Sequence, residues 1–212
     1  MNRTLTVLMT ASLLFAGTAI AAPADPADLV KERYARIQKV VDRNPGKAAM
    51  RKGIRKVMNT FVDFRELGRR TLKGNWEGLK TRQRKQFVKG FKQMIQRTYV
   101  KRFNPNRKVR IEYRGPAMME EDGTASVFTI VRSGRSEAKV DYRFHRVKRK
   151  WKAFDVIIDD VSQVKNYRKQ FHRIMKKDGF EGLMAKIRKK NEKEKRKEEK
   201  ELAKEAKKPA KE

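Results

Sequence analysis

The sequence predicts an α+β domain, in which a helical N-terminal part packs on an antiparallel sheet of about four strands and C-terminal helices close the fold. Between residues 25 and 102, apolar residues recur at steps of three and four, which is typical of helices that face a core. From Val109 to Ile158 they alternate with polar residues instead, which is typical of strands. The helical period returns from Ser162 onwards. Helices, strands and helices in this order indicate the α+β class.

The first residues have the pattern of a secretory signal peptide. Arg3 is followed by an apolar, uncharged run from Leu5 to Ile20, and Ala19-Ile20-Ala21 has small residues where a signal peptidase cleaves. A membrane anchor is the alternative, but the run is shorter than the ~20 residues of a spanning helix. We therefore expect a signal peptide at 1–21, one domain at 22–190 and a Lys/Glu-rich tail at 191–212.

The composition argues against most catalytic and metal sites. The 212 residues include 56 Lys and Arg, 25 Asp and Glu, two His and no Cys. The absence of Cys excludes disulfides, thiolate metal sites and a cysteine nucleophile, and two distant histidines disfavour a zinc site. We find no G-x-S-x-G, H-E-x-x-H or P-loop motif. His145 and His172 are interpreted as ordinary surface histidines, and we expect no enzyme, no metal and no cofactor.

The net charge of +31 predicts an anionic partner. The tail at 191–212 carries nearly balanced charges, so we expect it to be solvated, helical or disordered, with no face to bury. Most of the excess positive charge therefore lies in the domain at 22–190, where like charges repel unless a partner relieves them. For an exported protein, acidic membrane surfaces are more accessible than nucleic acid.

Local signals place the ends of the N-terminal helices. Asp25-Pro26 can start the first helix, and Asn44-Pro45-Gly46 breaks it. Asp63 can cap a short third helix, and Thr81 can cap the next one, although a full capping box is missing there. Asn104-Pro105 ends this last helix.

The last two strands predict one continuous apolar sheet face. If Val147 pairs with Trp151 across a three-residue turn, the opposing pairs are Phe144 with Phe154, Tyr142 with Val156 and Val140 with Ile158. The same register places Arg143 against Asp155 as a cross-strand ion pair. The segment Ala125–Val131 is apolar on both faces and needs cover on both. Either an ordinary core or a cavity for an apolar ligand satisfies this pattern.

Three stretches of the sequence carry a family resemblance. They are Asp63–Leu72 with Gly74 and Trp76, Thr81–Val88 with Phe91 and Tyr99, and Trp151–Val156 continuing through Val161-Ser162, Asn166–Arg168 and Phe171 to Gly179, Gly182 and Leu183. Together they resemble the MlaC family, also called the toluene-tolerance auxiliary family. The resemblance spans roughly residues 27–187, and the tail and the extreme positive charge depart from the family pattern.

The resemblance implies a soluble periplasmic phospholipid carrier that maintains the lipid asymmetry of the outer membrane. Such proteins hold acyl chains in an apolar cavity between sheet and helices, and no reaction occurs on them. They exchange lipid with an inner-membrane ABC transporter, through its membrane-anchored ring protein, and with an outer-membrane lipoprotein–porin complex. The expected cargo is a bound phospholipid. We expect the protein to be a monomer and to bind no nucleic acid.

The resemblance, combined with strand alternation and register, implies a set of lipid-binding residues. They are Leu72, Phe91, Tyr99, Val140, Tyr142, Phe144, Phe154, Val156, Ile158 and Val161. Two alternatives remain open at this point. One is a basic exported protein that binds anionic membrane surfaces or polymers without an internal cavity. The other is a periplasmic enzyme of a cystatin-like α+β fold, which would need an acid/base pair.

Overall fold

The structure, a computed structural model, describes residues 25–43, 46–103 and 109–206. In this part of the chain five helices and seven strands follow the predicted order of helices, then strands, then a helical end. The predicted signal peptide, the Asn44-Pro45 break and the Asn104-Pro105 stop lie outside the described residues. None of the described helices is long and apolar enough to cross a membrane.

Aspartates start two of the helices as predicted. The helices are α1 (Pro26–Asp42), α2 (Lys47–Phe61), α3 (Phe64–Thr71), α4 (Thr81–Val100) and α5 (Gln163–Ala206). The Asp25 carboxylate accepts from the Ala27 N–H at 2.7 Å. Asp63 accepts from the N–H groups of Arg65 and Glu66, both at 3.0 Å. Each carboxylate thus satisfies N–H groups that have no partner within the helix.

The start of α4 differs from the prediction. Thr81 is the first helical residue, and Lys80 occupies the capping position. The Lys80 N–H donates to Oε1 of Gln83, three residues further on, at 2.9 Å. Thr81 was therefore wrong as the cap, because a side chain inside the first turn, rather than one before it, satisfies the free N–H.

The predicted antiparallel sheet is confirmed, with more strands than the four expected. The strands are β1 (Val109–Tyr113), β2 (Met118–Met119), β3 (Ala125–Val127), β4 (Thr129–Ser133), β5 (Ser136–Val147), β6 (Lys150–Ile158) and β7 (Val161–Ser162). Along one edge β5 pairs with β4 and β3, and along the other with β6. The count was wrong because the segment 125–131 divides at Phe128, and two-residue strands are too short to show an alternation.

The predicted β5–β6 register is confirmed in the half that leads away from the turn. Tyr142 lies opposite Val156 and Val140 opposite Ile158. Directly opposed residues of an antiparallel pair point to the same side, so these four side chains share one sheet face.

The register nearer the turn was wrong. Phe144 lies opposite Ala153 rather than Phe154, because β6 has a bulge in which Phe154 is the extra residue. Val147 lies opposite Lys150 rather than Trp151. The turn has two residues instead of three, and its first residue, Lys148, adopts a φ of +57°.

Asp155 does not form the predicted ion pair, although its Cα partner is Arg143. The carboxylate is buried at 5% exposure and accepts from the Val164 N–H at 3.0 Å and from the Ser162 hydroxyl. The predicted ion pair was wrong because Asp155 accepts instead from the Val164 N–H in α5, the Ser162 hydroxyl in β7 and the Val156 N–H in β6. This carboxylate therefore joins β6 to α5.

The expected solvated tail is also corrected for the part that the structure describes. Helix α5 continues past residue 191 to Ala206, with a break at Gly179, whose φ is +63°. Glu194 pairs with Lys101 of α4 at 2.9 Å, and Glu198 pairs with Arg97 of α4 at 2.7 Å. The tail has a face to bury after all, because its acidic residues lie against basic residues of α2 and α4.

The buried apolar side chains form separate groups. The helical cluster joins α3, α4 and α5, and includes Leu72, Phe87, Phe91, Tyr167 and Phe171. The sheet cluster joins α1 to the sheet, and its buried members are Ala27, Val30, Ala125, Val127, Phe144, Trp151 and Ala153. One face of β3 is thereby covered by α1, whereas Ser126 on its other face donates to Glu120 of the preceding loop.

Candidate functional site

One face of β5 and β6 forms an apolar surface whose exposure rises along its length. Phe144 is fully buried, whereas Tyr142 and Val140 are half-buried. Their neighbours Val156 and Ile158 on β6 are half-buried as well. The face therefore leads from the closed sheet cluster towards solvent, so that its apolar surface is accessible at one end.

Val161 lies at the open end of this face. It pairs with Ile158 across the β6–β7 turn, and 52% of its surface is exposed. An exposed valine next to two half-buried aliphatic residues extends the apolar surface to the rim of the sheet.

Phe61 closes the buried end. As the last residue of α2, it contacts Tyr142 and Phe144 edge-on, with ring centroids 5.7 and 5.6 Å away. Edge-to-face contacts of this kind add to the stabilisation from burial. The sequence does not identify Phe61 as part of this face, because the helical period of α2 indicates a core position but not which part of the sheet the ring contacts.

The polar groups beside the apolar face are phenols. Burial raises the pKa of Tyr142 far above its ordinary value, and it also raises the pKa values of Tyr34 and Tyr113. The Tyr34 hydroxyl donates to the carbonyl of Val109 in β1. These phenols therefore stay neutral at physiological pH and place no charge beside the apolar face.

Phe154 has a different environment from the other predicted strand residues. Its buried ring meets the His145 ring edge-on at 5.8 Å, and the Arg70 guanidinium lies 3.8 Å from its centroid. Arg70 belongs to α3, so Phe154 fixes α3 to β6 through a cation–π contact.

His145 is not the ordinary surface histidine that was expected. It is half-buried, and its Nε2 lies 3.1 Å from Oδ2 of Asp63, the cap of α3. The hydrogen bond with His145 lowers the pKa of Asp63 below its ordinary value. The pair holds the start of α3 against β5, and a residue 82 positions away could not be identified as its partner from sequence.

The three predicted helical residues belong to the helical cluster. Leu72 and Phe91 are buried, and the Phe91 ring lies 5.1 Å from Tyr167 and 5.2 Å from Phe171. The Tyr99 hydroxyl donates to Oε1 of Gln163 at 2.7 Å, at the start of α5. The structure thus groups Val140, Tyr142, Phe144, Val156 and Ile158, with Val161 at the rim. It places Leu72, Phe91, Tyr99 and Phe154 in other contacts.

Among the described residues, no group of three or more His, Asp or Glu side chains could hold a metal ion.

Comparison with known proteins identifies relatives of this chain. The family model described as MlaC protein matches residues 28–189. Among solved structures, the chain is similar to the phospholipid-binding protein from Ralstonia solanacearum, determined in complex with a phospholipid. The two chains are 21% identical, the TM-score is 0.73, and the match covers 81% of this chain and 99% of that one. At this identity the similarity shows a shared fold. Among curated proteins no match is found.

Proposed function

The chain belongs to the family of MlaC proteins, and from this premise we propose that it is a soluble periplasmic carrier of phospholipid. It moves lipid between an outer-membrane lipoprotein–porin complex and an inner-membrane ABC transporter with its membrane-anchored ring protein, and so maintains the lipid asymmetry of the outer membrane. The signal peptide at 1–21 exports the chain, and the domain at 22–190 carries the lipid. The carrier performs no reaction, and its only bound molecule is its cargo.

The observation that supports this proposal most strongly is the graded apolar face of β5 and β6. It begins at buried Phe144 and ends at exposed Val161. Each methylene that leaves water contributes about 0.8 kcal/mol, so a phospholipid with two acyl chains needs an apolar escort to cross an aqueous compartment. An acyl chain that lies along this face leaves its headgroup at the rim.

Lipid entry requires the buried end of the face to open. Phe61 is half-buried, so its ring already meets solvent on one side, and an acyl chain that takes its place would keep the fully buried Phe144 covered. Val140, Tyr142, Phe144, Val156, Ile158 and Val161 are the proposed contacts for the first chain. Leu72, Phe91, Tyr99 and Phe154 remain predicted contacts, which a lipid reaches where the helical cluster separates from the sheet.

Charge substitutions on this face test the proposal. Val156→Glu and Tyr142→Glu place a carboxylate where the acyl chain is proposed to lie. We expect lipid extraction of the purified variants to recover no phospholipid. Val147→Glu is the matched control, because Val147 is exposed beyond the closed end of the face. Val156→Trp fills the path without a charge and guards against misfolding of the Glu variants. Full lipid content in folded Val156→Glu and Val156→Trp would overturn the proposed binding face.

A further inference from the structure

A groove between α2 and α4 is lined by cations. It is open to solvent, has a volume of about 400 Å³, and none of its lining residues belongs to the sheet. Lys52, Arg55 and Lys56 of α2 line one wall, and Lys89 and Lys92 of α4 line the other. The remaining three lining residues are amides, so the described walls carry no carboxylate.

The lysines of this groove lack acidic partners within the described residues. Lys52, Lys56, Lys89 and Lys92 form none of the described ion pairs, although 18 such pairs exist in this part of the chain. Lys52 and Lys56 are four residues apart on α2, where like charges repel and destabilise the helix. An anionic ligand in the groove would relieve this repulsion.

Next to the groove, the basic residues of α2 and α4 bind carboxylates of α5. Arg55 also contacts Glu198 of α5, and Arg51 and Arg97 on either side of it contact the same carboxylate. Glu194 pairs with Lys101, and Glu201 pairs with Arg51. One half of the α2–α4 surface is thus covered by carboxylates spaced four and three residues apart on a helix, and the other half is open.

We propose that the open groove binds an acidic helical segment of a partner protein, through carboxylates at the same spacing as Glu194, Glu198 and Glu201. The groove is concave, so a segment can place its carboxylates between the two walls, whereas a flat membrane surface reaches only the outer lysines. Arg55 makes the two halves continuous, and the partner segment would extend the row of carboxylates that α5 begins. The proposal does not depend on lipid binding, because the sheet face contributes no lining residue.

A peptide probe tests this surface directly. The probe is a fluorescein-labelled copy of residues 191–206 in which every Lys and Arg is replaced by Gln, so that the carboxylates keep their helical spacing. We expect it to bind the full chain with an affinity that falls as salt is added. The triple variant Lys52→Glu, Lys56→Glu and Lys89→Glu should weaken binding by about tenfold or more.

Matched controls separate the groove from bulk charge. Lys169→Glu, Lys176→Glu and Lys177→Glu change the net charge equally at exposed positions of α5, and binding should persist. Equal weakening in both triple variants would overturn the proposal, and so would unchanged binding to the groove variant, which would place the peptide on the half that α5 covers. If the groove variant no longer binds phosphatidylglycerol vesicles but still binds the peptide like the wild type, the groove is a contact for a membrane surface, and the proposal is overturned. The phospholipid content of each variant is measured separately, so failure of the carrier proposal can be distinguished from failure of the groove proposal.

Discussion

The ring of Phe61, at the end of α2, packs edge-on against the ring of Phe144 in the sheet, with centroids 5.6 Å apart. This contact closes the buried end of the apolar face, whose open end is at Val161. The end of α2 therefore covers the centre of the sheet at Phe144, and the proposed lipid entry requires this one aromatic side chain to move.

Phe61→Ala should destabilise the lipid-free protein more than the lipid-loaded protein. Without lipid, loss of the ring leaves a void beside Tyr142 and Phe144, at a cost of about 2 kcal/mol for this half-buried position. With lipid bound, the acyl chain fills that space and the cost should be smaller. Urea unfolding of delipidated and loaded samples measures both values. Equal destabilisation in the two forms would show that lipid does not displace Phe61.

Asp155→Asn tests the connection between β6 and α5. The substitution keeps the size of the side chain but removes the charge that accepts from the Val164 N–H, the Val156 N–H and the Ser162 hydroxyl. We expect a loss of about 1–2 kcal/mol of unfolding free energy. Glu121→Gln, in an exposed loop, is the control and should change stability little. A cost no larger than that of the control would contradict the capping role.

Glu66 makes a pH-dependent contribution to stability. The two hydrogen bonds that Arg69 donates to the Glu66 carboxylate, followed by the one from Arg70, lower the pKa of Glu66 from 4.5 to about 2. A carboxyl group whose pKa is lowered in the folded state stabilises the fold above its ordinary pKa, and this stabilisation is lost as the pH falls from 4.5 to about 2. Because the arginines are partly exposed and water screens the pairs, the contribution at neutral pH is about 1 kcal/mol.

The test compares wild type with Glu66→Gln across that pH range. The difference in unfolding free energy should be largest at neutral pH and should vanish as the pH approaches 2. Glu181→Gln removes an exposed carboxylate that forms no described ion pair, and it should give a nearly pH-independent difference. A gap between wild type and Glu66→Gln that stays constant down to acidic pH would disprove this linkage.

Glu198→Gln should release the C-terminal end of α5. Glu198 is 15% exposed and contacts Arg51, Arg55 and Arg97, so the neutral side chain leaves three guanidinium groups without their shared carboxylate. We expect faster amide hydrogen exchange over residues 191–206. We also expect the unfolding free energy to fall by about 1–2 kcal/mol. Glu199→Gln is the control, because Glu199 is 59% exposed and pairs only with Lys195 among the described residues. Equal exchange in both variants would show that the helix end docks without Glu198.

Strand alternation predicted the part of the site that depends on local geometry. The pairs of Tyr142 with Val156 and Val140 with Ile158 follow from a period of two and a hairpin, and both are confirmed. The pair of Phe144 with Phe154 failed because a bulge inserts one residue into β6, and an inserted residue leaves the apolar pattern on either side intact.

Contacts between distant segments could not be predicted from the sequence. The helical period placed Phe61 on an apolar stripe, but the stripe does not identify Phe144 as its neighbour. The Glu/Lys alternation of the tail suits a solvated helix as well as a docked one, so the contacts of Glu198 with α2 and α4 depend on the direction in which α5 leaves the helical cluster. Fold class and the β5–β6 register away from the turn were accessible from sequence, whereas the contacts of Phe61 and of the docked helix end were not.

Native mass spectrometry tests directly whether this chain carries phospholipid. The mature protein is purified without detergent from the periplasm of a Gram-negative host, and the extracted lipid is identified in parallel. We expect a near-stoichiometric complex whose added mass equals one phospholipid, and loss of that mass in Val156→Glu. A folded protein that is consistently found at the mass of the polypeptide alone would contradict it, and the apolar face of β5 and β6 would then be ordinary core.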